Sequence, residues 1–197
     1  MHGAIIVAMV EILSVSAEQS MDVWLVSNAC DLINRAYEIA EVGLWRPGLF
    51  RTTVDDTAQA IVDGEMVFAL LGSQLVGAVR TRLMGEGRSW FGALSVDPAL
   101  GGRGIGGKLV SFVEQSAATA GCVIVQLEVL VPQAPHPHIN RLAVWYENLG
   151  YHEISRSDLA AAEPSLAPYM TGPCDLAVRH KRIEPSLPPT GETQGRL

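Results

Sequence analysis

The chain has 197 residues, 48% of them hydrophobic and 18% charged, which excludes a disordered polymer and suits one domain whose core needs no disulfide or metal staple. Asp and Glu outnumber Lys and Arg by 21 to 14, a formal charge of -7 with no basic stripe, which argues against a nucleic-acid partner. Cys30, Cys122 and Cys174 are odd in number and form no C-x-x-C, so they read as buried, reduced thiols of a cytoplasmic protein rather than as a disulfide set or metal site; no apolar run reaches the ~20 residues of a membrane span.

The apolar start resembles a secretory leader but lacks a positive first segment and is interrupted by Glu11, so residues 1–8 read as an extension and the domain as residues 9–183. Val10 to Val15 predicts a strand. A long helix within Met21 to Ala40 follows from the spacing of Leu25, Ala29, Leu32, Ile33 and Ala36. Trp45 to Gly48 marks a loop, and Thr53-Val54-Asp55-Asp56 has the form of a capping box opening a short helix that ends near Gly64. Glu65 to Leu71, Leu75 to Met84 and Ser89 to Val96, joined by glycine turns, predict an antiparallel meander. Between Gly104 and Ala120 the apolar positions Ile105, Leu109, Phe112, Val113 and Ala117 form one helical face. Val123 to Leu130 is a near-continuous apolar run, as expected of a central strand covered on both sides. A Pro-rich loop from Pro132 to Pro137 leads to another helix, closed at Gly150. Tyr151 to Ser155 and Cys174 to His180 predict the last two strands, separated by an alanine-rich excursion, and residues 184–197 have the composition of a mobile tail.

The most informative stretch joins the third meander strand to the next helix. Gly101-Gly102-Arg103-Gly104-Ile105-Gly106-Gly107 holds five glycines in seven residues. A glycine-rich turn feeding a helix N-terminus leaves several backbone N–H groups unpaired at the positive end of the helix dipole, which suits a phosphate. Arg103 and Lys108 add charge nearby. Two known phosphate patterns fit poorly. Gly102 to Gly107 satisfies the dinucleotide fingerprint, with Glu128 near its ~20-residue offset, but five residues separate Val96 from Gly102 and too little chain follows for further strand-helix-strand units. A nicotinamide-dependent oxidoreductase is thereby disfavoured. Gly102 to Lys108 fits a nucleotide-hydrolase phosphate loop, but Leu109 stands where a magnesium-binding Ser or Thr is required.

Val96-Asp97-Pro98 followed by Gly101-Gly102-Arg103-Gly104-Ile105-Gly106 resembles the acetyl-CoA motif of the GNAT superfamily of N-acetyltransferases, with Gly101 where that family usually has Arg or Gln. Asn140 to Tyr151, ending Tyr146-Glu147-Asn148-Leu149-Gly150-Tyr151, resembles the family's later helix. The resemblance implies a mixed α/β fold in the order β-α-α-β-β-β-α-β-α-β-β, with acetyl-CoA as cosubstrate and direct transfer of the acetyl group to a small-molecule or peptide amine in a ternary complex. It implies that Leu94, Ser95 and Val96 bind the pantetheine arm through their backbone and that Gly101, Gly102, Arg103, Gly104, Ile105, Gly106 and Gly107 hold the pyrophosphate. Asn140 stands one position after the family's helix asparagine, whose place is Ile139, and is carried over as a coenzyme contact. Tyr146 is implied as the acid that protonates the departing thiolate. Glu41 and Trp45 fall where the family lines its acceptor cleft.

No carboxylate occupies Phe91 to Leu94, where some family members carry a general base; Glu128 is the nearest alternative, with exposure at a strand end as its plainer reading. His136 and His138 lack a third metal ligand, so no metal is expected. A homodimer is left open. The missing carboxylate also keeps a second class in view, a non-catalytic acetyl-CoA sensor.

Overall fold

A computed structural model describes residues 9–186. Residues 1–8 and most of the expected tail, 187–197, lie outside the described residues; at the start of that tail, the Ser186 N–H donates to the Ala118 carbonyl at 2.9 Å.

Seven strands form one sheet: β1 (Val10–Ser14), β2 (Met66–Leu71), β3 (Gln74–Gly85), β4 (Arg88–Val96), β5 (Ile124–Pro132), β6 (His152–Asp158) and β7 (Cys174–Arg182). Their spatial order is β1-β2-β3-β4-β5-β7-β6, so β7 inserts between the two strands that precede it. Every pairing is antiparallel except β4 with β5. A dinucleotide fold needs a parallel sheet, so the topology removes the nicotinamide reading.

The helices are α1 (Val23–Ala40), α2 (Val54–Val62), α3 (Ile105–Thr119), α4 (Pro137–Asn148) and a short α5 (Leu159–Ala162) within the alanine-rich excursion. A 3-10 turn over Ala17–Met21, absent from the sequence reading, precedes α1. The capping box forms as expected: Thr53 Oγ1 accepts from the Asp56 N–H at 3.1 Å, and Asp56 Oδ2 accepts from the Thr53 N–H at 3.3 Å. All three cysteines are free and buried.

Strand alternation gives the sheet two apolar faces. On one, Val26, Ala29, Leu32 and Ile33 of α1 and Ala60 and Ile61 of α2 pack on Met66, Phe68 and Ala78. On the other, Ile105, Leu109, Val110 and Val113 of α3 and Ile139 and Tyr146 of α4 pack on Val67, Val79, Phe91, Val125 and Leu127. The strand β5 lies inside the sheet order, with Val125, Leu127 and Val129 against α3 and α4, but its alternate positions Gln126 and Glu128 hydrogen-bond to His180 and Trp90, so the two-sided apolar covering expected from its run is not what forms.

Gly77 of β3 sets how closely α3 approaches. A Cβ there would lie 3.1 Å from Leu109 Cδ1 and 3.2 Å from both Ala69 Cβ and Ile105 Cγ2, tighter than ordinary contact. Gly77→Val is therefore expected to destabilise the fold by about 1–3 kcal/mol, the usual cost of overpacking. Chemical denaturation reads this as a lowered midpoint; an unchanged midpoint would mean that α3 gives way freely.

Candidate active site

The strand β4 contains its own break. Ala78 pairs with Ser95 and Arg80 with Gly92, so Ala93 and Leu94 stand together opposite Val79 as a bulge. Ala93 adopts φ 50°, a left-handed conformation that costs a non-glycine residue ~1 kcal/mol. Ser95 Oγ donates to the Ala93 carbonyl at 3.0 Å and holds the bulge closed. The bend turns β4 away from β5: the parallel pairing covers only Arg88 to Trp90 against Ile124 to Gln126. Beyond Trp90 the β5-facing edge of β4 has no strand partner.

A cleft of about 600 Å³ opens beside that edge. Leu94, Ser95 and Val96 form one wall, and Gly101, Gly102, Gly104, Ile105, Gly106 and Gly107 form another. Ile139, Leu142, Trp145 and Tyr146 of α4 and Tyr37, Ala40 and Glu41 at the end of α1 complete it. Gly104 is the N-cap of α3 at φ 77° and offers no side-chain cap. The first helical bond runs from the Lys108 N–H to the Gly104 carbonyl at 3.1 Å, so the N–H groups of Ile105, Gly106 and Gly107 have no helical partner. An added Cβ at Gly106 would sit 3.7 Å from the Trp145 ring, narrowing the cleft. The turn and helix terminus fit a phosphate.

Two sequence-derived contacts fall elsewhere. Arg103 is exposed and outside the cleft wall, leaving the positive end of the cradle to backbone N–H groups. Asn140 is likewise exposed, because one residue turns a helix by about 100° and the inward place belongs to Ile139.

Tyr146 of α4 is among the residues that line the cleft. Phe91, Trp145 and Tyr151 surround its ring with centroids 6.2, 4.8 and 6.0 Å away. The hydroxyl has no hydrogen-bond partner among the described residues, and the one fully buried, unpaired side-chain polar atom among them is Arg179 Nε. The Tyr146 oxygen therefore opens on the cleft. Burial, reinforced by nearby Tyr37, raises the phenol pKa and keeps it protonated through the neutral range.

A second cavity, about 630 Å³, adjoins the first, with Tyr37 and Glu41 belonging to both. Glu38, Trp45, Phe50, Arg51 and Leu166 are among its other walls. The segment after α1 is pinned across the sheet: Trp45 bridges to Met170, the Arg46 N–H donates to the Tyr169 carbonyl at 2.7 Å, and the Thr171 N–H to the Leu44 carbonyl at 3.1 Å. Asn34 Oδ1 accepts from the Arg51 N–H at 2.8 Å and fixes the far wall. Arg51 stacks over Tyr37, 4.2 Å from Cζ to the ring centroid. Tyr37, Asn34, Arg51 and Trp145 escaped the sequence reading; only an aromatic one turn before Glu41 hinted at Tyr37.

The other candidates have structural employment. Glu128 is partly buried in mid-strand, not exposed at a strand end: Oε2 accepts from Trp90 Nε1 at 2.5 Å and Oε1 from Gln126 Nε2 at 2.9 Å. His136 caps α4, its Nδ1 accepting from the Ile139 N–H at 3.3 Å while Nε2 lies 3.1 Å from the Val42 carbonyl. No group of three or more potential metal ligands occurs among the described residues, and no helix among them is long and apolar enough to cross a membrane.

Comparison with solved structures finds the same fold repeatedly. The ribosomal-protein-S18-alanine N-acetyltransferase of Escherichia coli superposes with a TM-score of 0.63 at 16% identity, covering 91% of this chain and 97% of that one. PaiA N-acetyltransferase from Thermoplasma acidophilum, in complex with coenzyme A, gives 0.65 at 13% identity over 89% and 99%. An aminoglycoside 6'-N-acetyltransferase complexed with coenzyme A gives 0.64 at 16% identity over 90% and 99%. No curated protein matches the sequence. Residues 63–153, which run from the end of α2 through the bulged strand, the glycine turn and Tyr146 to the start of β6, match the family model described as "Acetyltransferase (GNAT) domain". Over residues 63–153 the chain thus resembles the GNAT acetyltransferase domain, and over nearly its whole length it shares the fold of these N-acetyltransferases.

Proposed function

We propose that the protein is an N-acetyltransferase that moves an acetyl group from acetyl-CoA directly to an amine. The observation that carries this reading is the convergence, in one cleft, of an unpaired strand edge after the Ala93 bulge, a helix N-terminus free of side-chain caps and the unpartnered hydroxyl of Tyr146. Acetyl-CoA brings the activated thioester and supplies the electrophilic carbonyl.

The chain's own groups do the rest. Backbone N–H groups of Ile105, Gly106 and Gly107 hold the pyrophosphate, and the open edge of Leu94 to Val96 pairs with the pantetheine amides as a missing strand would. A β4 N–H past the bulge faces the oxyanion of the tetrahedral intermediate. Tyr146 donates its proton to the thiolate as the C–S bond breaks. The second cavity, with aromatic and acidic walls, receives a small-molecule or peptide amine from the side opposite the coenzyme. Transfer in a ternary complex needs no acyl-enzyme, and the three thiols are buried with pKa values raised by desolvation, which disfavours the nucleophilic thiolate. Residues 9–183 act as one domain, and free thiols support a cytoplasmic location.

Acetyl-CoA and coenzyme A are expected to raise the melting temperature, while NAD and ATP at equal concentration leave it unchanged, because only a ligand that binds the folded state shifts unfolding. Release of free thiol across a panel of amines tests transfer itself. Stabilisation without release from any amine would instead favour the sensor.

A further inference from the structure

The proposed reaction requires an acceptor that most often arrives as an ammonium ion, and the sequence shows no carboxylate on β4 to deprotonate it. We propose that Glu41 is the base that takes this proton, at the point where the acceptor cavity meets the coenzyme cleft; the assignment rests on the transferase reading above.

Glu41 caps the C-terminus of α1 and is the one carboxylate among the described residues that lines both cavities. Its two oxygens are unequally engaged. Oε2 accepts from Trp45 Nε1 at 2.5 Å, which fixes the carboxylate plane, whereas Oε1 has Arg51 Nη1 only at 4.0 Å, beyond hydrogen-bond reach. One oxygen is thus anchored and the other has room for an N–H donor. Rival groups lack that freedom or that position. Both oxygens of Glu128 are occupied and it lines neither cavity; both ring nitrogens of His136 are engaged; His138 borders the coenzyme cleft alone.

The environment favours proton uptake. Burial pushes the Glu41 carboxyl above the ordinary carboxylate pKa, against the lowering pull of Arg51, of the Trp45 N–H and of His136. Tyr37, one turn back on α1, and Cys174 of β7 are the other titratable groups near it, both neutral at physiological pH because burial raises their pKa. A carboxylate made more basic by burial is better matched to an ammonium than one in water.

The protons balance. One N–H proton of the ammonium passes to Glu41 Oε1, and the freed lone pair attacks the thioester carbon. As the C–S bond breaks, the thiolate takes the Tyr146 proton, and the second N–H proton restores the phenol. Glu41 then returns its proton to water through the acceptor cavity, so the net products are amide, thiol and one proton.

Glu41→Gln decides the matter, because the amide oxygen can still accept from Trp45 while the basic site is gone. With phenethylamine, spermidine, free lysine and an alanine-terminated tripeptide as probes, thiol release is followed from pH 5 to 9 at saturating acetyl-CoA. In the wild type, kcat/KM for any accepted amine should fall as pH drops through the raised Glu41 pKa. The variant should lose about 100-fold or more in kcat and should lose that acid limb, with coenzyme A affinity and melting temperature unchanged. Glu41→Asp should recover part of the rate and the limb. Equal profiles in wild type and Glu41→Gln would overturn the assignment and leave the transferase reading standing. A Glu41→Gln protein that no longer folds hands the decision to Glu41→Asp, whose acid limb must then move with the new carboxylate, and an unmoved limb overturns the assignment too. No thiol release by the wild type from any probe would overturn both readings together.

Discussion

Gly104→Val is expected to weaken coenzyme A binding by about 100-fold or more, roughly 2.8 kcal/mol, without unfolding the protein. Nothing lies within 4 Å of an added Cβ there, so no clash disturbs the core. The cost comes from the backbone, because Gly104 sits at φ 77° and a β-branched residue in that region is strained by ~1–2 kcal/mol. The chain relieves that strain by rotating the turn, which re-aims the N–H groups of the first α3 turn. Each charge-assisted hydrogen bond then lost to the phosphate costs a further ~1.5–3 kcal/mol. Calorimetric titration with coenzyme A, alongside circular dichroism, measures both halves of this expectation. Unaltered affinity would exclude the turn from the binding site.

Tyr146→Phe should lower kcat by about 100-fold while leaving coenzyme A affinity and stability nearly unchanged. A residue that served only as core would behave differently. Its ring packs on Phe91, Trp145 and Tyr151, and phenylalanine keeps those contacts. Its hydroxyl bonds to nothing among the described residues, so deleting the oxygen breaks no protein hydrogen bond. Any kinetic effect then reports on what the oxygen does in the cleft. The effect is bounded above because a thiol of pKa ~8.5 is a competent leaving group unaided, and a phenol whose pKa is raised by burial gives up its proton only in concert with another. Steady-state kinetics with an accepted amine reads the ratio, and a kcat within twofold of the wild type would return Tyr146 to the core.

Much of this site is legible in the sequence because it is local. Glycines, a proline, a helix terminus and a tyrosine at fixed spacing are short-range statements, and the chain keeps them short-range: the turn stands at the N-terminus of α3, and Tyr146 stays on α4, where it lines the same cleft as the turn. The errors arise where phase or distance matters. Asn140 differs from Ile139 by a single helical step, yet that step carries it from the buried wall to the surface. Arg103 is charged and adjacent to the cradle, but a tight turn points successive residues in different directions and its side chain leaves the cleft. Ala93 carries no signal, since alanine has no preference for positive φ; the bulge is imposed by the pairing on both sides of it. The acceptor cavity is less legible still. It brings residues 34–51 against Leu166 and is held by contacts to residues 169–171, a meeting that depends on β7 inserting between β5 and β6.

The sparse pairing of β4 with β5 divides the sheet into two rafts, β1 to β4 and β5-β7-β6, seamed by three residue pairs. The polypeptide crosses from one raft to the other once, through the glycine turn and α3. Among the described residues, the only covalent tether between the rafts is therefore the same element that would grip the pyrophosphate. A coenzyme lying in the seam would lace the two together, so that the ligand is a structural member of the protein it serves and its departure loosens the walls of the acceptor cavity, which are drawn from both sides.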